Sequence, residues 1–423
     1  MPELDSTTQG SRPKHVMVGS GPAGLRAIQA IRGIDSRAAI TLVSEDPGAA
    51  YSKMLLPYLI SGDMPEDLLF TRRPKHFEQM GVQTILGAKV DGVDTQAQVV
   101  RVNGLKVPYD KLLIATGARP LRPQVRGIDQ EGVLTMWTLD DATRIRAKAA
   151  QAKDVLIYGA GLVAFQAIKC LEGNGRRLTL LLRGDQILRR IVDPEGGLFL
   201  EENVLSKGDI RIIKGSNIQE ISVAADGRKQ VILQNGQALT ADLIIVATGA
   251  EPNLDAVKGS GIATDRGILV DAAMRTNVPN VYAAGDVAES QDFLTGERTV
   301  HGIWPTAVEQ GKVAGTNMAG GTLAFDGGVS RNVLDVQGIS VASMGVSRAQ
   351  ENHEEFTLKE PRSKVYRRIV LQDNRIVGAV LIGKTDDCGL LLSLMRQQVN
   401  VQKWKNSLAR NPLDLGKIMA SVR

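Results

Sequence analysis

The sequence predicts an α/β fold, with two Rossmann-like three-layer domains followed by a small C-terminal α+β domain. Three observations predict it. A Gly-rich turn follows an apolar strand at residue 19 and again at residue 159, and each copy precedes a strand that ends in Ala-Thr-Gly, at residues 111–117 and 243–249. From about Gly327 onwards, segments with alternating polarity replace the earlier pattern of strands and helices. With 423 residues, the chain is long enough for about two to three domains.

The two Gly-rich turns have the spacing of dinucleotide-binding motifs. The first glycine of such a motif makes the turn, the second lets the backbone approach a pyrophosphate, and the third small residue packs helix on strand. One copy alone is equally compatible with a structural turn, whereas two copies in strand and helix context predict two bound dinucleotides. The two copies read Gly19-Ser20-Gly21-Pro22-Ala23-Gly24 and Gly159-Ala160-Gly161-Leu162-Val163-Ala164.

An acidic residue after the next strand distinguishes the two copies. The strand 38–44 ends at Glu45, where a carboxylate can accept the hydroxyls of an adenosine ribose, although a surface Glu at a strand end is the alternative. In the second copy Leu182 stands where the acid is expected, with Arg183 beside it. We expect NAD rather than NADP there, because Arg183 has no second basic neighbour before Arg189.

Composition and charge argue against several other classes of protein. No stretch approaches the roughly 18 apolar residues of a membrane span, and the polar start is unlike a signal peptide, so we expect a cytoplasmic protein. Lys and Arg exceed Asp and Glu by only 51 to 46, without a dense basic run, so no nucleic-acid partner is predicted. Cys170 and Cys388 are the only cysteines, and their separation predicts neither a redox disulfide nor a metal or iron–sulfur site within this chain.

The ordered motifs identify a resemblance. Both Gly-rich turns, both Ala-Thr-Gly strands and Tyr282-Ala283-Ala284-Gly285-Asp286 resemble the FAD-dependent pyridine nucleotide oxidoreductases. These two-dinucleotide-binding-domain flavoproteins include rubredoxin and ferredoxin reductases and the flavin portion of nitrite reductase. The resemblance spans roughly residues 16–320 and is weaker in the C-terminal domain, which looks like the nitrite-reductase branch. It implies an FAD-binding domain from residues 1–140 and 271–325, an NAD(P)-binding domain at 141–270 and an α+β interface domain at 326–423.

The same resemblance assigns cofactor contacts. Family members hold FAD with the first Gly-rich turn, a ribose-binding acid, a basic residue, an Ala-Thr-Gly strand end, a Gly-Asp pair and the start of a late helix. The corresponding residues here would be Gly19, Ser20, Gly21, Pro22, Ala23, Gly24, Glu45, Lys53, Ala115, Thr116, Gly117, Gly285, Asp286, Trp304 and Pro305. The second nucleotide would contact Gly159, Gly161, Leu162, Val163, Arg183, Thr248 and Gly249. Two alternatives stay open, since Asp286 can cap a following helix and Trp304 can be a core residue.

Two positions depart from the family pattern and are our candidate catalytic residues. Gln166 stands where relatives often carry a Glu near the flavin–nicotinamide interface, and Tyr58 stands where some carry a Lys that contacts the flavin. Hydride transfer requires stacking and alignment of the two cofactors, which carry the chemistry themselves, so both substitutions are compatible with activity.

The resemblance also predicts the reaction. We expect an FAD-dependent NAD(H) oxidoreductase that exchanges electrons with an iron–sulfur protein, as the flavin subunit of a larger complex of the 2-oxoacid or phenylglyoxylate dehydrogenase type. A stand-alone rubredoxin or ferredoxin reductase is one alternative, and a non-catalytic protein that senses FAD and NAD is another. An oligomer or hetero-complex is compatible with either. We expect the partner to dock on the C-terminal domain, at its apolar helix Gly389–Met395 and at Trp404 in a basic tail.

Overall fold

The first parallel unit begins at Lys14 and is interrupted after Pro120. The computed structural model describes residues 13–48, 50–205 and 210–409. In none of these residues is there a helix long and apolar enough to cross a membrane. The first elements are β1 (Lys14–Val18), α1 (Pro22–Ile34), β2 (Ala39–Ser44), β3 (Ala50–Tyr51), α2 (Leu56–Ser61), β4 (Phe70–Arg72), α3 (Pro74–Gln79), β5 (Val82–Leu86), β6 (Val90–Asp94), β7 (Val99–Val102), β8 (Leu105–Pro108), β9 (Lys111–Ile114) and β10 (Ala118–Pro120).

The second parallel unit has the same plan. Its elements are β11 (Val133–Thr135), α4 (Leu139–Ala149), β12 (Asp154–Tyr158), α5 (Leu162–Leu171), β13 (Arg177–Leu181), α6 (Pro194–Asn203), β14 (Ile210–Ile213), β15 (Ile218–Val223), β16 (Lys229–Leu233), β17 (Ala238–Ala241), β18 (Leu243–Val246) and β19 (Ala250–Pro252).

The rest of the chain completes the first unit and then forms the C-terminal domain. The completing elements are β20 (Ile268–Leu269), β21 (Val281–Ala283), β22 (Ala288–Gln291), β23 (Arg298–Thr299) and α7 (Trp304–Met318). The C-terminal elements are β24 (Arg331–Val336), β25 (Ile339–Gly345), β26 (Glu354–Glu360), β27 (Val365–Gln372), β28 (Arg375–Ile382) and α8 (Cys388–Arg396).

The sheet topology shows the internal duplication. The first sheet has the order β21-β9-β1-β2-β5 and the second the order β11-β18-β12-β13-β14, and all pairs are parallel. Each unit also carries a three-stranded antiparallel sheet, β6-β7-β8 in the first and β15-β16-β17 in the second. The chain enters the second sheet before residue 140, the predicted domain boundary, because β11 already belongs to that sheet.

Alternation along the strands of the second unit explains its three layers. On β12, Val155 and Ile157 pack into the core shared with α4 and α5, whereas Leu156 and Tyr158 pack against the antiparallel sheet β15-β16-β17. A strand buried on both faces reads as a continuous apolar run, and this is the pattern of a parallel sheet covered on both sides.

One strand in the first unit differs from the sequence-based expectation. The sequence predicts that residues 82–117 form an excursion of short strands that includes Val82–Leu86, but this segment is β5 and pairs in parallel with β2 at the edge of the main sheet. The excursion instead begins with β6, which the sequence did not reveal. Two Asp residues and Gly92 lower its strand propensity, and a register irregularity occurs between Val90 and Gly92.

Up to residue 409, where the description of the chain ends, the C-terminal domain is an antiparallel sheet with one α-helix, as predicted. Its strand order is β24-β25-β28-β27-β26, and Asp373 and Asn374, with φ of +48° and +58°, form the tight turn between β27 and β28. The docking role of α8 and Trp404 stays a prediction. Leu391, Leu394 and Met395 are buried beneath the sheet, and Trp404 packs against the same core, so these apolar groups stabilise the domain itself.

Two helices of the first unit pack at very short range. A Cβ atom added to Gly311 of α7 would lie 2.2 Å from the Ala23 carbonyl oxygen of α1, and one added to Gly315 would lie 2.4 Å from that of Ala27. Only glycine permits this approach. It brings the starts of α1 and α7 together beside the end of β21.

We expect Gly311→Ala to lower the free energy of unfolding by about 1–3 kcal/mol, because the added methyl group overpacks the α1–α7 contact. Differential scanning calorimetry of both proteins will show it as a lower Tm. Gly389→Ala is the matched control, since a Cβ at that helical glycine meets no atom within 4 Å. Equal Tm values for the two variants would contradict the proposed helix contact.

Candidate functional site

The residues predicted to bind the first dinucleotide meet at one edge of the first sheet. The Gly19 amide donates to the Val43 carbonyl at 2.8 Å, and the Ala115 amide donates to the Val18 carbonyl at 2.8 Å. Ligands of open α/β sheets bind at this carboxyl edge. The residues that follow its strands are Gly19 after β1, Glu45 after β2, Ala115 after β9 and Gly285 after β21.

The glycines of the first turn fit a pyrophosphate. Gly19 has a φ of +116°, and a Cβ there would lie 2.1 Å from the Ala115 carbonyl oxygen. A Cβ on Gly24 would lie 2.1 Å from the Gly19 oxygen, whereas one on Gly21 meets no atom within 4 Å. Gly21 is the N-cap of α1, and no side chain of the described residues caps this helix. The turn therefore presents open backbone at a helix N-terminus, where an anion binds.

The other residues of the turn support it. Ser20 is buried, and its Oγ lies 2.8 Å from that of Ser44 at the end of β2. The Ser44 hydroxyl also accepts a hydrogen bond from the Asp46 amide at 3.2 Å. Pro22 lies in the first turn of α1, and Glu45 is exposed next to Ser44. The Ser20 side chain thus joins the turn to the strand end that carries the predicted ribose ligand.

The Gly285–Asp286 segment is held by α7. Gly285 has a φ of +84°, and its amide donates to Oε1 of Gln310 at 2.8 Å. Gln310 is buried, and its Nε2 donates to the Ser290 hydroxyl at 2.9 Å. The sequence analysis missed Gln310, which lies on α7 one residue before Gly311.

Asp286 has the properties of a ligand-binding carboxylate. Burial raises its pKa, and the positive charge of Lys53 opposes this shift. Among the described residues, none donates a hydrogen bond to its carboxylate. The alternative role as a helix cap is not found, because β22 rather than a helix follows at Ala288.

Two tryptophans lie in this region. The Lys53 ammonium is 5.4 Å from the ring centroid of Trp137, whose Nε1 donates to the Ala118 carbonyl at 3.0 Å. The sequence analysis missed Trp137, although it precedes the capping box of α4 formed by Thr138 and Asp141. Trp304 is the first residue of α7 and is partly exposed, so it is not a buried core residue.

The two Ala-Thr-Gly segments cross each other between the units. β10 and β19 form an antiparallel pair in which Arg119 is opposite Glu251. The Thr116 hydroxyl donates to the Asn253 carbonyl at 2.8 Å, and the Thr248 hydroxyl donates to the Leu121 carbonyl at 2.9 Å. Gly117 and Gly249 have positive φ and accept hydrogen bonds from the opposite segment. Both threonine side chains therefore hold the crossover, and their contact with a cofactor stays a prediction.

The second Gly-rich turn repeats the geometry of the first. Gly159 has a φ of +126°, and a Cβ there would lie 2.1 Å from the Ala247 carbonyl oxygen, whereas one on Gly161 meets no atom within 4 Å. Leu162 and Val163 begin α5 and are partly buried. The Ala160 carbonyl accepts a hydrogen bond from the Leu188 amide at 2.8 Å. This turn also fits a pyrophosphate.

The position expected for the ribose-binding acid is one residue later than the sequence indicated. The Gly19 amide bonds the Val43 carbonyl, and the equivalent Gly159 amide bonds that of Leu181. Glu45, two residues after Val43, therefore corresponds to Arg183 rather than to Leu182. Leu182 is buried in the core, and Arg183 is exposed.

The candidate catalytic residues lie on adjacent helices. Tyr58 is on α2 and is 40% exposed, and Gln166 is on α5 and is partly buried. Leu56 and Leu59 of α2 share a hydrophobic core with Phe165 of α5. The structure brings the two helices together across the units, and the catalytic assignment stays a prediction.

Comparison with known proteins establishes the class. Residues 13–311 match the pyridine nucleotide-disulphide oxidoreductase family, and residues 331–399 match the rubredoxin NAD⁺ reductase C-terminal domain. The chain belongs to the pyridine nucleotide-disulphide oxidoreductase family. It is thus an FAD-dependent NAD(P)H oxidoreductase, and its cofactors are FAD and NAD(H).

Two curated proteins and one solved structure illustrate the similarity. The chain is 32% identical to subunit epsilon of NADH-dependent phenylglyoxylate dehydrogenase from Aromatoleum evansii, over 96% of this chain and 97% of that protein. It is 28% identical to the nitrite reductase [NAD(P)H] of Bacillus subtilis over 94% of this chain but only 49% of that longer protein. A putidaredoxin reductase in covalent complex with putidaredoxin has the same fold, with a TM-score of 0.88, 22% identity, and coverage of 97% of this chain and 99% of that one.

Gly21→Val is expected to produce a folded protein without FAD. Its side chain meets no protein atom but fills the space where a pyrophosphate would approach the backbone. The flavin absorbance of the purified protein and its circular dichroism are the measurements. Gly33→Val, at an open position of the same helix, is expected to keep its flavin. Full flavin absorbance in Gly21→Val would refute the assignment of this site.

Proposed function

We propose that this protein exchanges hydride with NAD(H) and electrons with an iron–sulfur partner, as the flavin subunit of a larger redox complex. The observation that carries the proposal is similarity over nearly the whole length of both chains, 96% and 97%, to a subunit of an NADH-dependent 2-oxoacid dehydrogenase. The relative is named as a subunit of a larger enzyme. A redox complex of several chains requires an electron route between the flavin and another chain.

The cysteines support an external electron acceptor. Burial raises the pKa of the Cys170 thiol to about 12, and burial also raises that of Cys388. Both cysteines are free, and they lie in different units, on α5 and α8. Neither thiol is ionised at neutral pH, and the two cannot pair with each other within this chain, so we assign no dithiol relay to it.

Bound FAD would supply the hydride acceptor for NADH and the group from which electrons leave singly. The chain's own residues would bind and orient the two cofactors. The first turn and α1 would hold the FAD pyrophosphate, Glu45 the adenosine ribose, and Asp286 the ribityl chain. Lys53 and the N-terminus of α7 would place positive potential beside the isoalloxazine ring. The second turn and α5 would hold NAD(H) on the opposite side of the β10–β19 crossover.

A stand-alone NADH-dependent rubredoxin or ferredoxin reductase is the second candidate. The match of residues 331–399 to the C-terminal domain of rubredoxin NAD⁺ reductases favours it. The two candidates share the cofactors and differ only in whether the partner is a bound subunit or a diffusing carrier. Co-purification from the native host distinguishes them. Under either candidate, two free cysteines are consistent with our proposal of a cytoplasmic location.

We expect NADH to reduce the flavin faster than NADPH does. Arg183 offers one exposed cation at the ribose position, which is a weak basis for binding a 2′-phosphate. Arg183→Glu restores a carboxylate and is expected to increase the preference for NADH. The measurement is anaerobic stopped-flow reduction of the holoenzyme with each coenzyme. A rate at least about tenfold higher with NADPH in the unmodified protein would overturn the assignment, because it corresponds to about 1.4 kcal/mol in its favour.

Electron delivery is expected to be salt-sensitive. NADH should support reduction of viologens by the holoenzyme, and exchange with the native iron–sulfur partner should be faster and should slow as ionic strength rises, because salt screens exposed charges over about 10 Å. Viologen reduction at each salt concentration is the control for effects on the flavin itself. The proposal fails if the enzyme reduces only a small organic substrate and no protein partner competes for its electrons.

A further inference from the structure

The loop that follows β13 connects the second nucleotide site to the C-terminal domain. It begins at Arg183, which occupies the ribose position, and it ends at Asp193, the N-cap of α6. Midway, the Leu188 amide donates to the Ala160 carbonyl of the Gly-rich turn at 2.8 Å. Leu188 is fully buried and has a φ of +48°, a backbone conformation that a branched residue adopts only when its surroundings enforce it.

Residues of the C-terminal domain contact the end of this loop, at Asp193. The Tyr366 hydroxyl donates to Oδ1 of Asp193 at 2.7 Å, and Nη1 of Arg368 lies 3.2 Å from the same oxygen. Both Asp193 and Tyr366 have 0% exposure. The Asp193 Oδ1 atom also accepts the amides of Glu195 and Gly196, each at 3.0 Å.

A second contact holds the start of the loop. Nε2 of Gln186 donates to the carbonyls of Val192 at 3.0 Å and Asp193 at 3.1 Å, so the side chain closes the loop on itself. Its remaining polar atom, Oε1, accepts a hydrogen bond from the Arg348 guanidinium, which follows β25 in the C-terminal domain. The loop is therefore fixed at both ends by the same neighbouring domain.

Charge pairs at the rim extend this interface. Glu195 of α6 pairs with Lys359 and with Arg368, the latter at 2.7 Å, and Arg368 also lies 3.3 Å from Glu355. The Phe199 and Tyr366 rings pack with centroids 5.6 Å apart. Asp193 makes its side-chain hydrogen bonds through Oδ1, whereas its buried Oδ2 has no partner among the described residues. Because the bonded groups are buried, breaking a bond to Oδ1 would leave a further polar group without a partner, and this favours the arrangement seen here.

We infer that the C-terminal domain positions the NAD(H) site, with Tyr366 and Arg348 as positioning residues that act through Asp193, Gln186 and Leu188 on the Gly-rich turn. Neither residue needs to contact the coenzyme. The inference rests on the proposed assignment of this turn to NAD(H). A partner that altered these contacts on binding would change coenzyme affinity, and coenzyme binding would change the affinity for that partner by the same factor.

The test uses the Tyr366→Phe/Arg348→Ala variant of the holoenzyme, together with each single variant. We expect the Kd for NAD⁺, measured by isothermal titration calorimetry, to rise about 5- to 20-fold in the double variant. FAD content and the limiting rate of flavin reduction at saturating NADH should stay close to those of the unmodified protein. Compared with Arg348→Ala, Arg348→Lys should keep part of the NAD⁺ affinity, because an ammonium can still donate to Gln186. Arg362→Ala changes an exposed residue of the same domain and should leave the Kd unchanged.

The outcomes separate the two claims. An unmodified holoenzyme that binds no NAD⁺ would refute the proposed function. An unmodified protein that binds NAD⁺ and a folded double variant that binds it equally well would refute only the positioning role. A lower Tm with an unchanged Kd would show that these contacts stabilise the domain interface without acting on the coenzyme site, and would also overturn the inference.

Discussion

The close approach of each Gly-rich turn to the neighbouring Ala-Thr-Gly strand is the constraint on which both cofactor sites depend. A single methyl group on Gly19 or Gly159 would lie 2.1 Å from a carbonyl oxygen of that strand. Because no side chain fits between them, the strand end and the helix start are held at backbone distance. That distance places the helix amides and the strand ends side by side at the carboxyl edge of each parallel sheet.

Much of this arrangement could be predicted because it follows from local rules. A glycine with positive φ, a helix start without a capping side chain and strands with apolar faces all have short-range signatures in the sequence. Strands such as β6 could not be predicted, because Gly92 and its acidic neighbours have low strand propensity, and tertiary packing of Val90 and Val93 determines the outcome.

The ribose position shows a different limit. The sequence analysis places the acid at the end of the apolar run, at Leu182, although the backbone hydrogen bonds assign Arg183. β13 ends at Leu181 and Leu182 is still buried, so the apolar pattern alone does not show which residue is the last of the strand. Trp137 and Gln310 were missed for a related reason, since each acts across a gap of many residues, on Ala118 and Gly285. Only the folded chain brings these pairs together.

The order of elements along the chain has a consequence for synthesis on the ribosome. The first unit needs β21 and α7, yet the whole second unit, from β11 to β19, is inserted before them. The nascent second unit has all of its parallel strands once β18 has emerged, while the first still lacks its edge strand β21 and Asp286, which follows that strand. Although domains generally fold in order from the N-terminus, this insertion lets the later one finish first. A complete FAD site therefore exists only after the whole second unit has been synthesised.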